Sequence, residues 1–339
     1  MRGSKSVRAV VIAVVVATSV ASSASWSAAG KKSNDAPRII IDTDLSKWWD
    51  DASTIGIANV LHNDGTINLL GIVSDVKNDV AVAALDALNT ASGNGKIPLG
   101  AVEGSAEDSF DHGYTDELIA QLPHSVKSSA DVPEAVALYR KILAKQPNGS
   151  VTIISLGGFT NLAGLLESGP GQGSKLDGRE LIAKKVDRLV QMDGLFPTEN
   201  APPYTNQEID LPAATAVVEG DWPTPIAWVD GLPGIAASVG GTLCTTKDED
   251  HPMRVVYELL FECGPPGDGN WDAPAFLYAI GDQPEIWEEL GQGGSAAIAE
   301  AGGLKWVTPS DRPDDLFVHV FDQEALNARI DELLAVDAK

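Results

Sequence analysis

Five short runs rich in valine, isoleucine and leucine alternate with stretches of helical periodicity, and this alternation constrains the fold most strongly. The stretches DVAVAALDALNTA and PEAVALYRKILAKQ have the spacing of helices. The runs have strand length and end in turn-forming residues; they are RIIID (38–42), INLLGIVS (67–74), VTIISLGG (151–158), DRLVQMDG (187–194) and TPIAWVDG (224–231). The pattern predicts an α/β fold, with an open, mostly parallel sheet and helices on both faces.

Polar residues or glycines follow these runs at the points where the strands are predicted to end. Asp42 and Asp44 end the first run, Asp75 and Asn78 follow the second, and GGFTN (157–161) follows the third. In a parallel sheet, the carboxyl ends of the strands share one edge, where ligands bind. We therefore expect the functional site at this edge.

The stretch IIIDTDLSKWWDD (39–51) holds four aspartates within ten residues. Like charges so close need a cation, a proton or strong hydrogen bonds. Capping of a helix start is an open alternative for Asp50, but it does not explain Asp44. Hard oxygen ligands without nearby histidine or cysteine favour Ca²⁺ or Mg²⁺ over zinc, with Asp51 and Asp272 as further candidate ligands.

Residues 1–29 have the features of a secretory signal: a basic start, an apolar core at 9–21 and small residues before a cleavage point after Ala24 or Ala29. The apolar core is shorter than the roughly 20 residues of a spanning helix, which favours a cleaved signal over a retained membrane anchor. Residues 30–36 then form a linker and 37–339 a single domain. We expect a secreted or periplasmic protein with no membrane attachment after cleavage.

Two glycine-rich stretches, SGPGQGSKLDGRE (168–180) and GQGGSAAIAEAGG (291–303), are predicted to be surface loops. Cys244 and Cys263 are the only cysteines in the chain. In an exported protein they favour a disulfide, which would join the ends of a helix predicted over 252–260.

The formal net charge of -24 argues against nucleic acid or an anionic membrane surface as a partner, because the field repels phosphate. Four histidines lie apart from one another without the spacing of paired metal ligands, and we interpret them as structural: His62, His124, His251 and His319.

These motifs, taken in order, resemble the nucleoside hydrolase family, and specifically its branch with five residues between the second aspartate and the aspartate pair. Five segments carry the resemblance, namely DTDLSKWWDDA, LLGIVSDVKNDVAVAALDALNTASG, IISLGGFTNLAGLL, VQMDG through NQEIDLPAA, and WDAPAFLYAI. The resemblance implies an open α/β sheet with a Rossmann-like core, a tightly held Ca²⁺ at the floor of the pocket, and a small-molecule nucleoside as substrate.

Matched residue by residue, the resemblance implies four protein ligands for the ion: the carboxylates of Asp44, Asp51 and Asp272 and the backbone carbonyl of Leu156. Asp44 is also the implied general base, which takes a proton from a metal-bound water as the N-glycosidic bond breaks. Asp50 is expected to bind a sugar hydroxyl.

Three asparagines fall where the family places ribose-binding amides: Asn78, Asn200 and Asn206. Tyr204 stands where ribose-specific members carry a glutamate that grips the sugar. A tyrosine can donate a hydrogen bond but cannot act as a carboxylate, so Tyr204 is expected to contact the substrate in a different way. Asp42 is expected in supporting hydrogen bonds behind the other aspartates.

Trp271 stands where many members carry a histidine that protonates the leaving base. An indole is not a general acid, so three alternatives are open: another group protonates the base, stacking on Trp271 raises its proton affinity, or the natural leaving group is a better one. His112, in FDHGYT, matches a family HG element and is the next candidate acid, with a surface-loop histidine as the alternative. Trp48 and Trp49 could wall a base pocket, but tryptophans beside a helix start favour the core for at least one of them.

The sequence thus predicts an enzyme, a Ca²⁺-dependent hydrolase of ribonucleosides that serves purine or pyrimidine salvage. Two alternatives on the same fold are a hydrolase of another glycoside, suggested by Trp271 and Tyr204, and a catalytically silent sugar- or nucleoside-binding protein. Retention of Asp44 favours the enzyme. An adhesive surface protein is a further alternative, which predicts no tightly bound metal. Base preference and assembly into a homo-oligomer are left open.

Overall fold

The computed structural model describes residues 36–337 except 47, 104–113, 221, 262–263 and 313. The predicted signal and most of the predicted linker lie outside the described residues, and so does His112.

Within the described residues, nine strands form one sheet: β1 (Arg38–Thr43), β2 (Asn68–Ser74), β3 (Leu99–Ala101), β4 (Val151–Ser155), β5 (Val186–Met192), β6 (Ile226–Val229), β7 (Trp287–Ile298), β8 (Leu304–Val307) and β9 (Asp315–Val320). Their order is β3-β2-β1-β4-β5-β6-β9-β7-β8. All pairs from β3 to β9 are parallel, whereas β7 runs antiparallel to β9 and to β8. The mostly parallel sheet and all five predicted strands are confirmed.

The α-helices of the described residues are α1 (Asp50–Asn63), α2 (Ala81–Ala91), α3 (Tyr114–Gln121), α4 (Ala135–Leu143), α5 (Thr160–Glu167), α6 (Gly178–Lys185), α7 (Thr205–Ile209), α8 (Leu211–Val218), α9 (Leu232–Ala236), α10 (Leu243–Thr246), α11 (Pro252–Phe261), α12 (Asp272–Ile280) and α13 (Gln323–Leu334). The helices predicted for DVAVAALDALNTA, PEAVALYRKILAKQ and residues 252–260 are present as α2, α4 and α11. In this part of the chain, no helix combines the length and apolarity needed to cross a membrane.

The sheet is buried on both faces, which explains why its central strands are continuous apolar runs. Along β1, Ile39 and Ile41 belong to one hydrophobic cluster and Ile40 to the other. All three side chains are fully buried. The alternation of side chains along a strand thus divides the core into two layers, one on each face of the sheet.

The strand order changes direction between β1 and β4. β2 and β3 continue on one side of this junction and β5 and β6 on the other. Loops that leave the two central strands therefore run to opposite sides and leave a crevice between them at the carboxyl ends.

Residues 291–298 of the second glycine-rich stretch form a strand and not a surface loop, which corrects that part of the sequence-based prediction, whereas 299–303 form the turn that follows. Residues 287–298 form β7, and the strand irregularity between Leu290 and Gly294 falls within the stretch. A Cβ at Gly291 or Gly294 would lie 2.6 or 2.3 Å from Trp306, whose indole donates to the Gly291 carbonyl at 3.1 Å. Glycine is used here so that an indole can lie directly on the strand.

Cys244, in α10, is disulfide-bonded. Cys263 is the only other cysteine in the chain and follows α11, outside the described residues. The bond at Cys244 agrees with the predicted disulfide, whose expected partner lies outside the described residues.

Candidate active site

A cavity of about 150 Å³ opens at the carboxyl ends of β1, β4 and β5, where the strand order changes direction. Its lining comprises four carboxylates, four aromatic side chains and four other residues: Asp44, Asp50, Asp51, Asp272, Trp48, Trp49, Tyr204, Trp271, Leu156, Met192, Thr205 and Asn206. The site therefore lies at the edge of the sheet predicted from the polar strand ends.

Three of the carboxylates converge. Asp50 and Asp51 begin α1 and Asp272 begins α12, and each offers an oxygen within 4.8 Å of the others. Asp44 directly follows β1 and lines the same cavity. None of the four is more than 5% exposed. The structure thus brings two of the three aspartates expected to hold an ion, Asp51 and Asp272, together with Asp50. The third, Asp44, lines the same cavity but is not one of the three converging carboxylates.

Burial and mutual repulsion disfavour the charged forms of these side chains. Burial raises the pKa of Asp51 well above its usual value, and the charges of Asp272 and Asp44 raise it further. Burial, followed by the charges of Asp50 and Asp44, raises the pKa of Asp272 in the same way. Carboxylates packed together out of water need a compensating positive charge to remain ionised.

The unpaired oxygens of the cluster fit a hard divalent cation. Asp51 Oδ2 and Asp272 Oδ2 are buried, and no hydrogen-bond donor among the described residues reaches them. Asp51 Oδ1, in contrast, accepts a hydrogen bond from the Thr43 hydroxyl. Buried acceptors without a partner are costly, and oxygen ligands of this kind are those that Ca²⁺ and Mg²⁺ take.

Asp42 lies behind the cavity in supporting hydrogen bonds, as predicted. Its carboxylate accepts from the Tyr139 hydroxyl of α4 and from Asn161 Nδ2 of α5, both at 2.9 Å. Complete burial raises the pKa of Asp42 to about 7. These bonds tie β1 to two helices and hold the strand end that carries Asp44.

Gly157, the first residue of GGFTN, packs against the proposed catalytic aspartate. A Cβ here would lie 2.7 Å from both N and Cβ of Asp44 and 2.6 Å from Asp75 Oδ2. No larger residue fits without displacing these groups. The glycine therefore allows the β4 loop to approach the end of β1.

The Leu156 carbonyl, expected to be a neutral ligand, accepts a hydrogen bond from Asn206 Nδ2 at 2.6 Å. The same amide nitrogen donates to the Met192 carbonyl at 2.9 Å. Asn206 thus lines the cavity, but its donors hold the ends of β4 and β5 together. Any hydrogen bond from Asn206 to a sugar hydroxyl would therefore use its Oδ1 as the acceptor.

The other two asparagines lie outside the cavity lining. Asn78 donates to Ser46 Oγ and accepts from the Val80 backbone N–H, both at 2.9 Å. Asn200 is exposed and accepts from the Ala301 backbone N–H at 2.8 Å. The loop that carries Asn200 is held by the turn before β8, because the backbone N–H of Gly303 in that turn donates to the Ala201 carbonyl. The ribose-binding role expected of these two asparagines has no support in this geometry.

Trp48 and Trp49 both line the cavity and both are only half-buried, so the expectation that at least one fills the core is wrong. Their ring centroids are 5.8 Å apart at 77°, and Trp49 lies 6.3 Å from Trp271 at 75°. The indole N–H of Trp49 donates to the Gly269 carbonyl at 3.2 Å. The turn between β1 and α1 leaves the sheet at the cavity, so its tryptophans pack against one another there.

Tyr204 and Trp271 complete the aromatic wall. The Trp271 backbone N–H donates to Asp50 Oδ2 at 2.9 Å. A Cβ at Gly234 would lie only 2.3 Å from Trp271 Cγ, so this glycine makes room for the ring. Burial raises the pKa of Tyr204 to about 12, and its hydroxyl therefore stays protonated at neutral pH.

The histidines of the described residues lie away from the cavity, in agreement with their interpretation as structural. Each makes a contact to the main chain: His62 accepts from Leu69 N, and His124, His251 and His319 contact the carbonyls of Leu122, Val336 and Phe196. The candidate acid His112 lies outside the described residues.

Thr43, Met192 and Thr205 belong to the site but were not singled out from the sequence. Met192 ends β5, and the rule that ligands bind at strand ends could have identified it. Thr43 lies between two aspartates, and its bond to Asp51 depends on the direction of the following turn. No sequence signal marks Thr205.

The family model described as "Inosine-uridine preferring nucleoside hydrolase" matches residues 39–232, which is more than half of the chain. The match includes the ends of β1, β4 and β5 and the aspartate pair of α1. A search of curated proteins by sequence gives no match.

Solved structures share the fold at low sequence identity. A plant nucleoside hydrolase, PpNRh1, is 16% identical with a TM-score of 0.66, over 88% of this chain and 99% of that chain. The purine-preferring ribonucleoside hydrolase of Gardnerella vaginalis is 16% identical with a TM-score of 0.66, over 88% and 98%. The inosine-uridine preferring nucleoside hydrolase of Bacillus anthracis is 16% identical with a TM-score of 0.64, over 88% and 99%. With the family match, they lead to one conclusion: the chain belongs to the inosine-uridine preferring nucleoside hydrolase family and is an N-glycosyl hydrolase.

Proposed function

We propose that the protein hydrolyses the N-glycosidic bond of ribonucleosides, releasing base and ribose, with the help of a bound Ca²⁺. One observation carries the proposal: Asp50, Asp51 and Asp272 converge within 4.8 Å at the floor of a cavity walled by aromatic rings. The family of the chain hydrolyses glycosidic bonds. Asp51 and Asp272 of this cluster, with Asp44 in the same cavity lining, offer oxygen ligands of the kind that such a metal needs.

The protein ligands of the proposed ion are Asp44, Asp51, Asp272 and the Leu156 carbonyl. All four line the cavity, and all four offer oxygen, which favours Ca²⁺ or Mg²⁺ over zinc. When bound, such an ion supplies positive charge that orients a water molecule and lowers its pKa.

Asp44 is the proposed general base, which accepts a proton from the attacking water. Its backbone and Cβ are fixed by the close approach of Gly157, so its carboxylate has a defined direction. A positioned base of this kind contributes about 10² to 10⁴ in rate. The Asp50 carboxylate, held through one oxygen by Trp271 N, would bind a sugar hydroxyl with the other and favour positive charge developing on the sugar ring.

A second candidate is hydrolysis of a different glycoside by the same machinery. Two features favour it. The cavity is lined by Tyr204, which the resemblance places where ribose-specific members carry a glutamate, and Asn78 and Asn200 lie outside the cavity lining. A catalytically silent binding protein is the third candidate. The substitution Asp44→Asn distinguishes the binding protein from the two hydrolases, because a hydrolase loses turnover while retaining ligand binding.

The test is release of reducing sugar from a panel of purine ribonucleosides, pyrimidine ribonucleosides and nitrophenyl glycosides in the presence of calcium. The proposal predicts ribose release from ribonucleosides and a loss of at least about 100-fold in kcat for Asp44→Asn. Release from the other glycosides alone would support the second candidate. Binding without any release would support the third.

We also propose that residues 1–29 direct export and that 37–339 form the mature domain. The disulfide at Cys244 supports this proposal, because disulfides persist in oxidising compartments. N-terminal sequencing of protein recovered from outside the cytoplasm tests it. A start after Ala24 or Ala29 is expected, and a retained Met1 would contradict it.

A further inference from the structure

Three tryptophans in the cavity wall stand nearly perpendicular to one another. Trp49 lies between the other two, 5.8 Å from Trp48 at 77° and 6.3 Å from Trp271 at 75°. All three line the same space, so a ligand there meets more than one indole. The face of an indole attracts cations more strongly than any other side-chain ring. We call these three residues the tryptophan cage.

The cage is held in place by specific contacts. Trp49 donates its indole N–H to the Gly269 carbonyl at 3.2 Å, and Trp271 donates its backbone N–H to Asp50 at 2.9 Å. A Cβ at Gly234 or Gly269 would lie 2.3 or 2.8 Å from the Trp271 ring system. Because two glycines make room for this ring, the cage is formed before a ligand arrives, which lowers the cost of binding.

The charge around the cage favours a positive ligand. Four carboxylates line the cavity, and their combined negative charge when ionised exceeds the positive charge of one divalent ion. Among the described lining residues there is no lysine or arginine. The chain as a whole carries a formal charge of -24, which attracts cations toward the cavity.

The described lining residues also include no histidine or cysteine that could protonate a departing base. The Tyr204 hydroxyl, with its raised pKa, is a weak acid. A neutral nucleobase leaves as an anion unless it is protonated, whereas a cationic ring leaves as a neutral molecule and needs no proton. The described part of the lining therefore suits a leaving group that already carries the positive charge, while the candidate acid His112 lies outside the described residues.

We propose, building on the proposed function, that the preferred substrates are N-ribosides with a cationic leaving ring, of the N-ribosylpyridinium class, bound in the tryptophan cage. The bond between C1′ and the ring nitrogen breaks with both electrons going to nitrogen, so the pyridinium becomes a neutral pyridine. Water adds its oxygen to C1′ and gives one proton to Asp44. The products are ribose, the pyridine and a proton, and no other reactant is needed.

The first test compares two stable ring compounds: 1-methylnicotinamide, which carries the cationic ring of the substrate, and nicotinamide, the neutral leaving group. They differ by one methyl group and one positive charge. Calorimetry on the calcium-loaded protein is expected to show at least about tenfold tighter binding of the cation, the combined effect of more than one cation–π contact. Trp48→Leu should reduce this preference at least about threefold. Phe321→Leu, at an aromatic residue that is 80% exposed, is the matched control and should leave it unchanged. Equal affinity for the two probes would overturn the inference.

Replacement of all tryptophans by 5-fluorotryptophan tests the cage without removing a ring. Fluorine weakens the attraction of the ring face for a cation and preserves its shape. The preference for 1-methylnicotinamide is expected to fall by at least about twofold, and an unchanged preference would contradict the inference.

Turnover distinguishes this inference from the function on which it rests. The inference predicts hydrolysis of nicotinamide riboside with a KM at least about tenfold below that of uridine. Hydrolysis of uridine with the same or a lower KM would overturn the inference, whereas the proposed hydrolysis of ribonucleosides would be supported. A protein that binds 1-methylnicotinamide in the cage but hydrolyses no riboside would overturn the proposed function, and the substrate class with it.

Discussion

The backbone N–H of Trp271 donates to Asp50 Oδ2 at 2.9 Å, and this bond joins the starts of α1 and α12 across 221 residues of chain. Asp51 follows Asp50 and Asp272 follows Trp271, so one hydrogen bond brings both candidate metal ligands to the same place. It also fixes the indole of Trp271 beside them. The floor of the cavity and its aromatic wall are therefore parts of a single arrangement.

Calcium is expected to stabilise the protein, since its proposed ligands repel one another in its absence. At a calcium concentration 100 times its Kd, the free energy of unfolding should rise by about 2.7 kcal/mol. Asp51→Asn should remove most of this increase, because Asp51 offers one of the unpaired oxygens. Denaturant unfolding with calcium and with chelator measures both effects. Asp250→Asn, at an exposed aspartate, is the control and should respond to calcium as the wild type does.

Gly157→Ala is expected to lower kcat by at least about tenfold, because its Cβ would lie 2.7 Å from Asp44 N and must displace the base. Gly169→Ala is the matched control, since nothing lies within 4 Å of its added Cβ. Steady-state kinetics on any accepted riboside measures the effect. Equal kcat for the two variants would show that the position of Asp44 does not depend on Gly157.

Tyr139→Phe should reduce the free energy of unfolding by about 1–3 kcal/mol, because it removes a donor from the fully buried Asp42 carboxylate. Tyr278→Phe also removes a hydroxyl bound to a carboxylate, that of Glu289, but this pair is nearer the surface. Urea unfolding should therefore show a smaller loss for Tyr278→Phe. The reverse order would contradict the supporting role given to Asp42.

Stability should decrease as pH rises from about 4 to 8, in part through Asp193. Burial raises the pKa of this carboxyl from 3.8 to about 8. The folded protein thus keeps a proton that the unfolded chain loses near pH 4, and the resulting stabilisation is fully present below that pH and lost as pH passes 8. One such group contributes a slope of up to about 1.4 kcal/mol per pH unit. Asp193→Asn should flatten the pH dependence of urea unfolding relative to wild type and to Asp250→Asn, and an identical slope in all three would contradict this assignment.

The presence of Asp44, Asp51 and Asp272 in one cavity could be predicted from the sequence because it follows from topology. A parallel sheet brings its strand ends to one edge, and helices that begin there start with their aspartates at that edge. The central strands could also be predicted, from their apolar runs. Both faces of the sheet are covered, so these strands are apolar along their whole length.

Features that depend on contacts between distant residues could not be predicted. Asn200 is held away from the cavity by Ala301, a hundred residues later. The glycine-rich part of β7 is a strand only because Trp306 covers it. Trp48 and Trp49 lie in the cavity wall because Trp271 and the Gly269 carbonyl are there to meet them. None of these partners is visible in the local sequence.

The proposed hydrolysis of ribonucleosides depends on a metal held by the buried carboxylates. The most direct test strips the protein with chelator and follows ribose release from inosine, uridine and nicotinamide riboside while calcium is added back. The stripped protein is expected to release ribose only at the background rate, and release should recover as calcium is added and saturate at one calcium per chain. Unchanged release after the metal has been removed, or full calcium binding with no release from any riboside, would contradict it.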